Sequence, residues 1–523
     1  MRRSDTLDRR SFLQFAAGAA AATALPPVRS GLPRAPQVVE VEEATIASLQ
    51  EGLRAGRYTT RALCEAYLTR IDTVDRSGPT LKSVLETNPD ALAIADRLDA
   101  ERKSRRTRGP LHGIPVLIKD NIATADRMMT TAGSLALVGV TPPRDSLVAE
   151  RLRAAGAVIL GKTNLSEWAN FRGNQSSSGW SGRGGQTRNP YALDRNPCGS
   201  SSGTGAAIAA SLAAVGVGTE TDGSIVCPSS ACSLVGVKPT LGLIGGTGII
   251  PIAHSQDTAG PMCRTVTDAA ILLGVLAAKD YSASLDPNGL KGARIGVARK
   301  KCFGYSPEAD ALVEAAIDVL RRQGAIIVDP ADIPHMGEYD DSEFTVLLYE
   351  FKTDVNAYLA DWAPRGPMRT LADLIAFNDT NKTSELAYFG QEIFVQAQEK
   401  GSLTDQAYID ALEKDRRLSR TEGLDVVFAQ NTLDAIIAPT GSPAWPTDLV
   451  NGDHFLGASS TPAAVSGYPS VSVPVGYSFG LPVGMSFIGR AASEATLLKL
   501  AYAYEQAAKP RRPPRFLPTI ELP

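Results

Sequence analysis

Short apolar segments of strand length alternate with helical segments along most of this 523-residue chain. Helical periodicity is clear over residues 60–74, where apolar side chains recur at a spacing of four. Ser306 and Pro307 have the chemistry that begins a further helix. Apolar runs of strand length lie at 157–160, 325–328, 435–438, 470–475 and 483–488. This alternation predicts an α/β fold.

No internal repeat, low-complexity linker or sharp change in composition divides the chain. We therefore predict a single domain over residues 40–520, although length alone would permit two or more domains. Residues 335–430 are more polar and have a mostly helical pattern. We predict that they form a helical insertion in the domain and shape its binding pocket.

The overall composition is that of an ordinary globular protein, with 43% hydrophobic and 21% charged residues. The formal net charge is -3, and no strongly basic segment stands out. Nucleic-acid binding usually needs a basic surface, so this charge balance argues against a nucleic-acid partner.

The first thirty residues have the pattern of an export signal. The paired arginines Arg9 and Arg10 precede an apolar run over 15–25, and small residues at 22–24 offer a cleavage site. We predict a twin-arginine signal peptide over residues 1–30, with the twin-arginine export machinery as a partner. The apolar run is too short to span a membrane. We therefore expect a periplasmic or secreted mature protein without a membrane partner.

Cysteine and histidine are too sparse to indicate a metal site. The six cysteines lack the spacing of a disulfide framework, and we interpret them mostly as small buried hydrophobic residues. The nearest pair, Cys227 and Cys232, lacks the second pair and the histidines that zinc needs. Of the four histidines, His112 and His254 lie near the motifs described below, but no pattern gives them a role. We expect neither a metal nor an organic cofactor.

Lys119 ends an apolar, strand-like run within the segment Gly113–Asn121. An ammonium group among apolar neighbours is costly to keep charged, so burial lowers the pKa of such a lysine. A neutral lysine is a base, and Lys119 is therefore a candidate proton acceptor. Because lysines at strand ends are commonly solvated, this segment alone does not establish catalysis.

Two segments rich in glycine and hydroxyl side chains follow. Pro197–Ala206 is typical either of a turn or of a backbone cradle for an anion, and it lacks the Gly-Lys-Ser/Thr ending of a phosphate-binding loop. In Gly218–Ser224, Gly223 leaves the backbone free to turn. Candidates for an oxyanion hole are the backbone amides of Thr221, Asp222, Gly223 and Ser224.

Taken together and in this order, the three segments resemble the amidase signature family. The resemblance implies that Ser224 is the nucleophile, Ser200 the residue that relays its proton and Lys119 the base. Ser200 lies 24 residues before Ser224, the spacing expected if one helix and one strand separate them. The resemblance also implies a cis peptide bond between Gly199 and Ser200. The fold it implies is a large mixed β-sheet covered by helices on both faces.

The resemblance covers the chain from about Leu81 to Val275 and returns near the C-terminus. Within the family, the chain looks most like bacterial peptide amidases. The segments that carry this similarity are Leu165–Arg172, Gly184–Pro190, Ser255–Pro261, 434–439 and 480–484. The family loop has the pattern Gly-Gly-Ser-Ser-Gly-Gly, and here Cys198 and Ser202 replace two of its glycines.

A hydrolase that cleaves carboxamide C–N bonds through an acyl-enzyme on Ser224 is the activity that the resemblance implies. We expect C-terminal deamidation of peptide amides, with an amidase acting on aryl or amino-acid amides as a close variant. A component of a tRNA-dependent amidotransferase shares the fold, but the export signal argues against it. A binding-only member is disfavoured because all three catalytic positions are present. Asp222 and Ser201 are candidates to orient the site.

Overall fold

The structure, a computed structural model, describes residues 39–522. Its strands are β1 Val84–Thr87, β2 Pro115–Lys119, β3 Val158–Thr163, β4 Trp180–Ser181, β5 Gly185–Gln186, β6 Val215–Glu220, β7 Val235–Lys238, β8 Thr258–Cys263, β9 Arg294–Val297, β10 Ile326–Val328, β11 Ala435–Pro439, β12 Ser470–Ser478 and β13 Leu481–Ile488. Its α-helices are α1 Ile46–Arg54, α2 Thr60–Arg70, α3 Ala91–Lys103, α4 Leu147–Ala154, α5 Ser202–Ala209, α6 Val226–Ala231, α7 Val266–Ala277, α8 Pro307–Arg322, α9 Asp340–Trp362, α10 Leu371–Thr380, α11 Lys382–Glu385, α12 Glu392–Gln398, α13 Gln406–Arg416, α14 Asp425–Asn431, α15 Thr461–Ser466 and α16 Glu494–Ala508.

Within the described range, an eleven-stranded sheet has the order β1-β3-β2-β6-β8-β7-β12-β13-β11-β9-β10. Strand β2 runs parallel to β3 and β6, and β9 runs parallel to β10 and β11. The other neighbouring strands pair antiparallel. The predicted mixed sheet is therefore confirmed.

The central strands are buried along their whole length. Every residue of β2, β3, β6, β8, β11 and β13 is shielded from solvent. A strand that is buried at consecutive positions has both of its faces covered, and here helices supply the cover, as predicted. Parallel strands with polar groups at their ends then bring those groups together at one edge.

Helix α8 begins where it was predicted to begin, at Ser306 and Pro307. The Ser306 hydroxyl accepts a hydrogen bond from the amide of Ala309, and Pro307 is the first residue of α8. The buried face of this helix consists of Ala309, Val313, Ala316, Ile317 and Leu320. The short strand β10 follows, close to the predicted run 325–328.

The segment predicted to be a helical insertion contains helices α9 to α14 and, within the described residues, no strand. Phe351 of α9 is fully buried and packs with Trp168 and Phe171 in a cluster separate from the main core. Tyr358 and Trp362 are 6% exposed and belong to the same cluster. These aromatic side chains therefore join the helical segment to the loop that follows β3.

The interpretation of the cysteines needs one correction. Cys198 and Cys227 form a disulfide bond across a sequence separation of 29 residues. The remaining cysteines, Cys64, Cys232, Cys263 and Cys302, are free and buried. Spacing alone did not reveal the bond, because α5 and β6 return the chain so that α6 lies beside the loop that carries Cys198.

The predicted signal peptide, residues 1–30, lies outside the described residues. No helix between residues 39 and 522 has both the length and the apolar character needed to cross a membrane.

Candidate active site

Lys119 is the last residue of β2, and its amine meets the end of the neighbouring strand β6. The two strands are parallel, with Ile118 paired to Val217, so their carboxyl ends share one edge of the sheet. The Lys119 Nζ lies 2.8 Å from Ser200 Oγ, 2.9 Å from Thr219 Oγ1 and 3.2 Å from the Thr219 carbonyl oxygen. The lysine thus faces hydroxyl groups rather than solvent.

Complete burial is the main cause that lowers the pKa of Lys119, from 10.5 to about 7. The carboxyl groups of Asp257 and Glu220 act in the opposite direction and raise it. A neutral amine has two hydrogens and one lone pair. At neutral pH a large share of the molecules therefore has a lone pair that the Ser200 hydroxyl can donate to.

Burial does not distinguish Lys119 from two other lysines of the sheet. Lys162 and Lys238 are also fully buried, and burial lowers the pKa of each to about 8. Lys162 donates to the Ile122 carbonyl and Thr130, whereas Lys238 donates to backbone carbonyls only. What separates Lys119 is its contact with Ser200.

Ser200 lies in the loop that leads into α5, and its side chain is 1% exposed. The peptide bond between Gly199 and Ser200 is cis, as predicted. The next residue, Ser201, has a hydroxyl that accepts from the Thr219 amide at 3.2 Å and donates to the Thr219 carbonyl at 3.0 Å. Ser201 therefore positions the residue that binds Lys119, and it does not itself contact the amine.

Ser224 follows a tight turn between β6 and α6. Gly223 has a φ of +76°, a region that favours glycine. The carboxylate of Glu220 accepts hydrogen bonds from the amides of Ile225 at 2.7 Å and Val226 at 3.0 Å. These bonds close the turn around Ser224.

The backbone around Ser224 includes amides without a hydrogen-bond partner among the described residues. Its carbonyl accepts a hydrogen bond from the Ser201 amide at 3.2 Å, which joins the two serine loops. Among residues 39–522, the amides of Asp222, Gly223 and Ser224 donate to no other protein group. Unpaired amides on a turn beside a serine are what an oxyanion hole requires.

Ser224 lines a cavity beside these residues, whereas Ser200 is not among the residues that line it. The cavity has a volume of about 530 Å³ and is lined by Ser224, Gly223, Asp222 and the two bonded cysteines. Ser200 borders a much smaller space with Thr219, Thr221 and Asp257. Within the described part of the chain, no hydrogen bond joins the hydroxyls of Ser200 and Ser224.

Two carboxyl groups hold the turn from either side. Asp222 accepts from the Thr461 hydroxyl at 2.7 Å, and burial raises the pKa of Asp222. Asp257 accepts from the Thr221 hydroxyl at 2.6 Å. Burial raises the pKa of Asp257 to about 7. Asp222 was predicted to orient the site, and in the structure it anchors the turn to the start of α15.

Sequence reasoning missed three residues that hold the site together. Thr219 binds the Lys119 amine, Glu220 closes the turn before Ser224, and Asp257 holds Thr221. All three lie inside the segments that carry the family resemblance. Their types gave a weak signal, because a threonine or a carboxylate in such a segment has many ordinary uses.

Neither His112 nor His254 hydrogen-bonds Lys119, Ser200 or Ser224. The His112 ring is fully buried and hydrogen-bonds the Leu98 carbonyl. His254 pairs with Asp354 at 2.8 Å and approaches Glu350, and these three side chains form a group with the donor types of a metal site. Glu350 already accepts from the Tyr408 hydroxyl, so this group is satisfied as an ion-pair network.

The chain belongs to the amidase family, and the profile of that family matches residues 62–498. The chain is 51% identical to native peptide amidase from Stenotrophomonas maltophilia, with a TM-score of 0.87 over 91% of this chain and 99% of that one. It is 41% identical to a probable amidase of Arabidopsis thaliana, over 91% of this chain and 92% of that protein. A putative amidase of Schizosaccharomyces pombe is 35% identical, over 92% of this chain and 88% of that protein.

The twin-arginine prediction is confirmed as well. A profile of twin-arginine translocation signal sequences matches residues 6–26. The signal directs export across the membrane, consistent with a periplasmic or secreted protein.

Proposed function

We propose that this protein is a serine amidase that removes the C-terminal amide of peptides, with Ser224 as nucleophile, Ser200 as relay and Lys119 as base. The observation that carries the proposal is the 2.8 Å contact between the buried Lys119 amine and the Ser200 hydroxyl, in a loop that also contributes Gly199 to the cavity lined by Ser224. A base is thereby connected to a serine site without a histidine.

The proposed reaction begins when neutral Lys119 accepts the proton of Ser200, which takes the proton of Ser224. Ser224 Oγ bonds to the carbonyl carbon of the amide, and the carbonyl oxygen becomes an oxyanion near the amides of Thr221, Asp222, Gly223 and Ser224. The C–N bond then breaks, the proton returns to nitrogen, and ammonia leaves. Water hydrolyses the acyl-enzyme by the same proton route, which restores Ser224.

This route requires a change in the Ser224 side chain. The Ser200 hydroxyl is bonded to Lys119 and not to Ser224, so Ser224 Oγ has to turn toward Ser200 when substrate binds. Catalytic hydrogen bonds are often long in ligand-free enzymes and shorten in the substrate complex. The turn at Gly223 leaves Ser224 among the residues that line the cavity.

A peptide substrate fits the chemistry of the cavity. One wall contains Trp445 and Phe455, whose rings pack edge to face at 5.9 Å. A volume of about 530 Å³ lies within the range of roughly 300–1,000 Å³ that is usual for small-ligand pockets.

The charges around the cavity favour an amide over the acid that it becomes. Its acidic lining residues are Asp222, Asp340 and Asp453, and Lys301 is the basic one among the described residues. Acidic lining residues repel a product carboxylate but not a neutral amide, so the product should bind more weakly than the substrate and leave the cavity. The helical segment contributes Met336, Gly337 and Asp340 to the lining, which supports the proposal that this segment shapes the pocket.

The test is ammonia release from three substrate sets: peptide amides, aryl amides and free amino-acid amides. We expect the highest kcat/KM with peptide amides that have an apolar C-terminal residue. Preference for aryl or amino-acid amides would overturn the peptide assignment and leave a broader amidase.

Nucleophile identity is tested with Ser224→Ala, for which turnover should fall to background. The matched control is Ser229→Ala. Ser229 is buried in α6, five residues further along, and its hydroxyl has no hydrogen-bond partner within residues 39–522. Full activity in Ser224→Ala refutes the assignment.

A further inference from the structure

The disulfide bond between Cys198 and Cys227 connects the loop that carries Ser200 to helix α6, which begins just after the turn that carries Ser224. Cys198 lies two residues before Ser200, and Cys227 lies three residues after Ser224. Both cysteines line the cavity that Ser224 faces, and they are 4% and 8% exposed. The bond therefore lies beside the reacting groups.

We propose that Cys198 and Cys227 are positioning residues of the active site. Their disulfide would hold the turn that carries Ser224 at a fixed distance from the loop that carries Ser200. The inference rests on the proposed roles of Ser224 and Ser200. It assigns these cysteines a part in turnover that their burial as small apolar side chains would not give them.

The backbone conformation of Cys198 indicates that a cysteine side chain is kept here at a local energetic cost. Cys198 has a φ of +57°, in the left-handed region that favours glycine. The resembling family loop has glycine at this position. A cysteine with a side chain in that conformation is locally unfavourable, and it is held there by the Asn196 side chain, which accepts from the Cys198 amide at 2.8 Å, and by the disulfide.

Cys227 transmits position directly to the nucleophile. Its amide donates to the Gly223 carbonyl at 2.8 Å, so a shift of Cys227 moves the turn before Ser224. Hydrogen bonds also link the two segments, between the Ser201 hydroxyl and the Thr219 backbone and, at Ser224 itself, from the Ser201 amide to the Ser224 carbonyl at 3.2 Å. A covalent bond restricts the separation of the loops far more than one hydrogen bond of this length.

The cellular location agrees with a functional disulfide. Disulfide bonds persist in oxidising compartments and are reduced in the cytosol. The twin-arginine signal sequence takes this protein out of the cytoplasm. The bond is thus compatible with the compartment in which the enzyme acts.

The first measurement is a thiol count on the purified mature enzyme, unfolded in denaturant. Without reductant, the four cysteines that are free in the structure should react with a thiol reagent. After reduction, all six cysteines of the chain should react. Six reactive thiols before reduction would remove the basis of the inference.

The second measurement uses two double variants that lack the bond, Cys198→Ala with Cys227→Ala and Cys198→Gly with Cys227→Ala. The glycine version relieves the left-handed backbone, so it keeps the test valid if the alanine version folds poorly. We expect kcat to fall about 10- to 100-fold, as small displacements of reacting groups do, with KM changed less than about twofold. The covalent labelling rate of Ser224 by a sulfonyl fluoride should fall in parallel.

Cys64→Ala is the matched control, because Cys64 is a buried free cysteine in α2, outside the cavity. A merely structural disulfide would lower the melting temperature while leaving kcat and the labelling rate unchanged at temperatures where the variants are folded. That result overturns the proposal. If Ser224→Ala is active in the bonded enzyme, the proposed function fails instead, and the two failures are distinguishable.

Discussion

The amine nitrogen of Lys119 lies 2.8 Å from the hydroxyl oxygen of Ser200, with both side chains almost completely buried. Burial lowers the pKa of Lys119 to about 7. Below that pH the amine is protonated and cannot accept a proton from Ser200, whereas above it the amine is free. We therefore expect kcat/KM to rise about tenfold per pH unit below pH 7 and to level off above it.

Lys119→Met tests the origin of this pH dependence, because methionine keeps much of the volume and removes the base. A loss of about 10²- to 10⁴-fold in kcat/KM is expected at neutral pH, the usual contribution of a general base. Lys162→Met is the matched control, since Lys162 is equally buried but does not contact the serines. Retention of the same pH profile in Lys119→Met would contradict the assignment of the base.

Asp257→Asn should move the acidic limb of the pH profile to lower pH. The Asp257 carboxylate raises the pKa of Lys119, so its removal favours the neutral amine. Asparagine can keep the contacts, with its oxygen toward the amides of Ile252 and Ala253 and its amide group toward Thr221. The shift is modest near pH 7, because burial raises the pKa of Asp257 itself to about 7. The shift is measured from kcat/KM between pH 5 and 9. An acidic limb that moves to higher pH would contradict this prediction.

The class of fold could be predicted, and three residues could be proposed for catalysis, because the signals for both are local. A strand such as β2 is an apolar run of its own, and the helix α8 has its capping serine and proline next to each other in the chain. The resemblance then assigned Lys119, Ser200 and Ser224 by motif. The structure adds that the Lys119 and Ser200 side chains meet, which no spacing measures.

The features that could not be predicted depend on pairs distant in sequence. The Cys198–Cys227 bond forms because α5 and β6 reverse the chain and bring the two cysteines together. The number and spacing of the cysteines do not reveal that reversal. Likewise, Lys162 and Lys238 are as buried as Lys119, so burial of a strand lysine was a weaker criterion than the sequence suggested. The contact of its amine with the Ser200 hydroxyl is what distinguishes Lys119, and it is visible only in three dimensions.

Arg172→Met should destabilise the fold, because Arg172 is fully buried between the carboxyl groups of Glu167 and Glu385. Removal of one partner from a buried ion pair typically costs about 3–5 kcal/mol. Burial raises the pKa of Glu167 well above its usual range, so the variant should recover part of this loss as the pH falls and the Glu167 carboxyl group takes up a proton.

Urea unfolding of Arg172→Met at pH 5 and pH 8 measures both effects. Arg76→Met is the control, because Arg76 forms an exposed pair with Asp72, and such pairs contribute about 0–1 kcal/mol. A loss for Arg172→Met no larger than for Arg76→Met would show that the buried network is not stabilising.

Glu220→Ala should impair catalysis through the turn rather than through contact with substrate. The Glu220 carboxylate accepts from the amides of Ile225 and Val226, immediately after Ser224. Alanine leaves two buried donors unpaired, at about 1–3 kcal/mol for each, and loosens the backbone that presents the proposed oxyanion amides. We expect kcat to fall by about tenfold or more, while KM changes little because the cavity walls are untouched.

Glu220→Gln separates charge from geometry, since the glutamine oxygen can accept both amide hydrogen bonds without the negative charge. It should retain most of the wild-type kcat, with the acidic limb of the pH profile moved to lower pH, because the Glu220 carboxylate raises the pKa of Lys119. Steady-state kinetics of both variants across pH 5 to 9 provide the comparison. If Glu220→Ala keeps wild-type kcat while folded, the two hydrogen bonds do not set the position of Ser224, and the turn must be held by Asp222 and Thr461 instead.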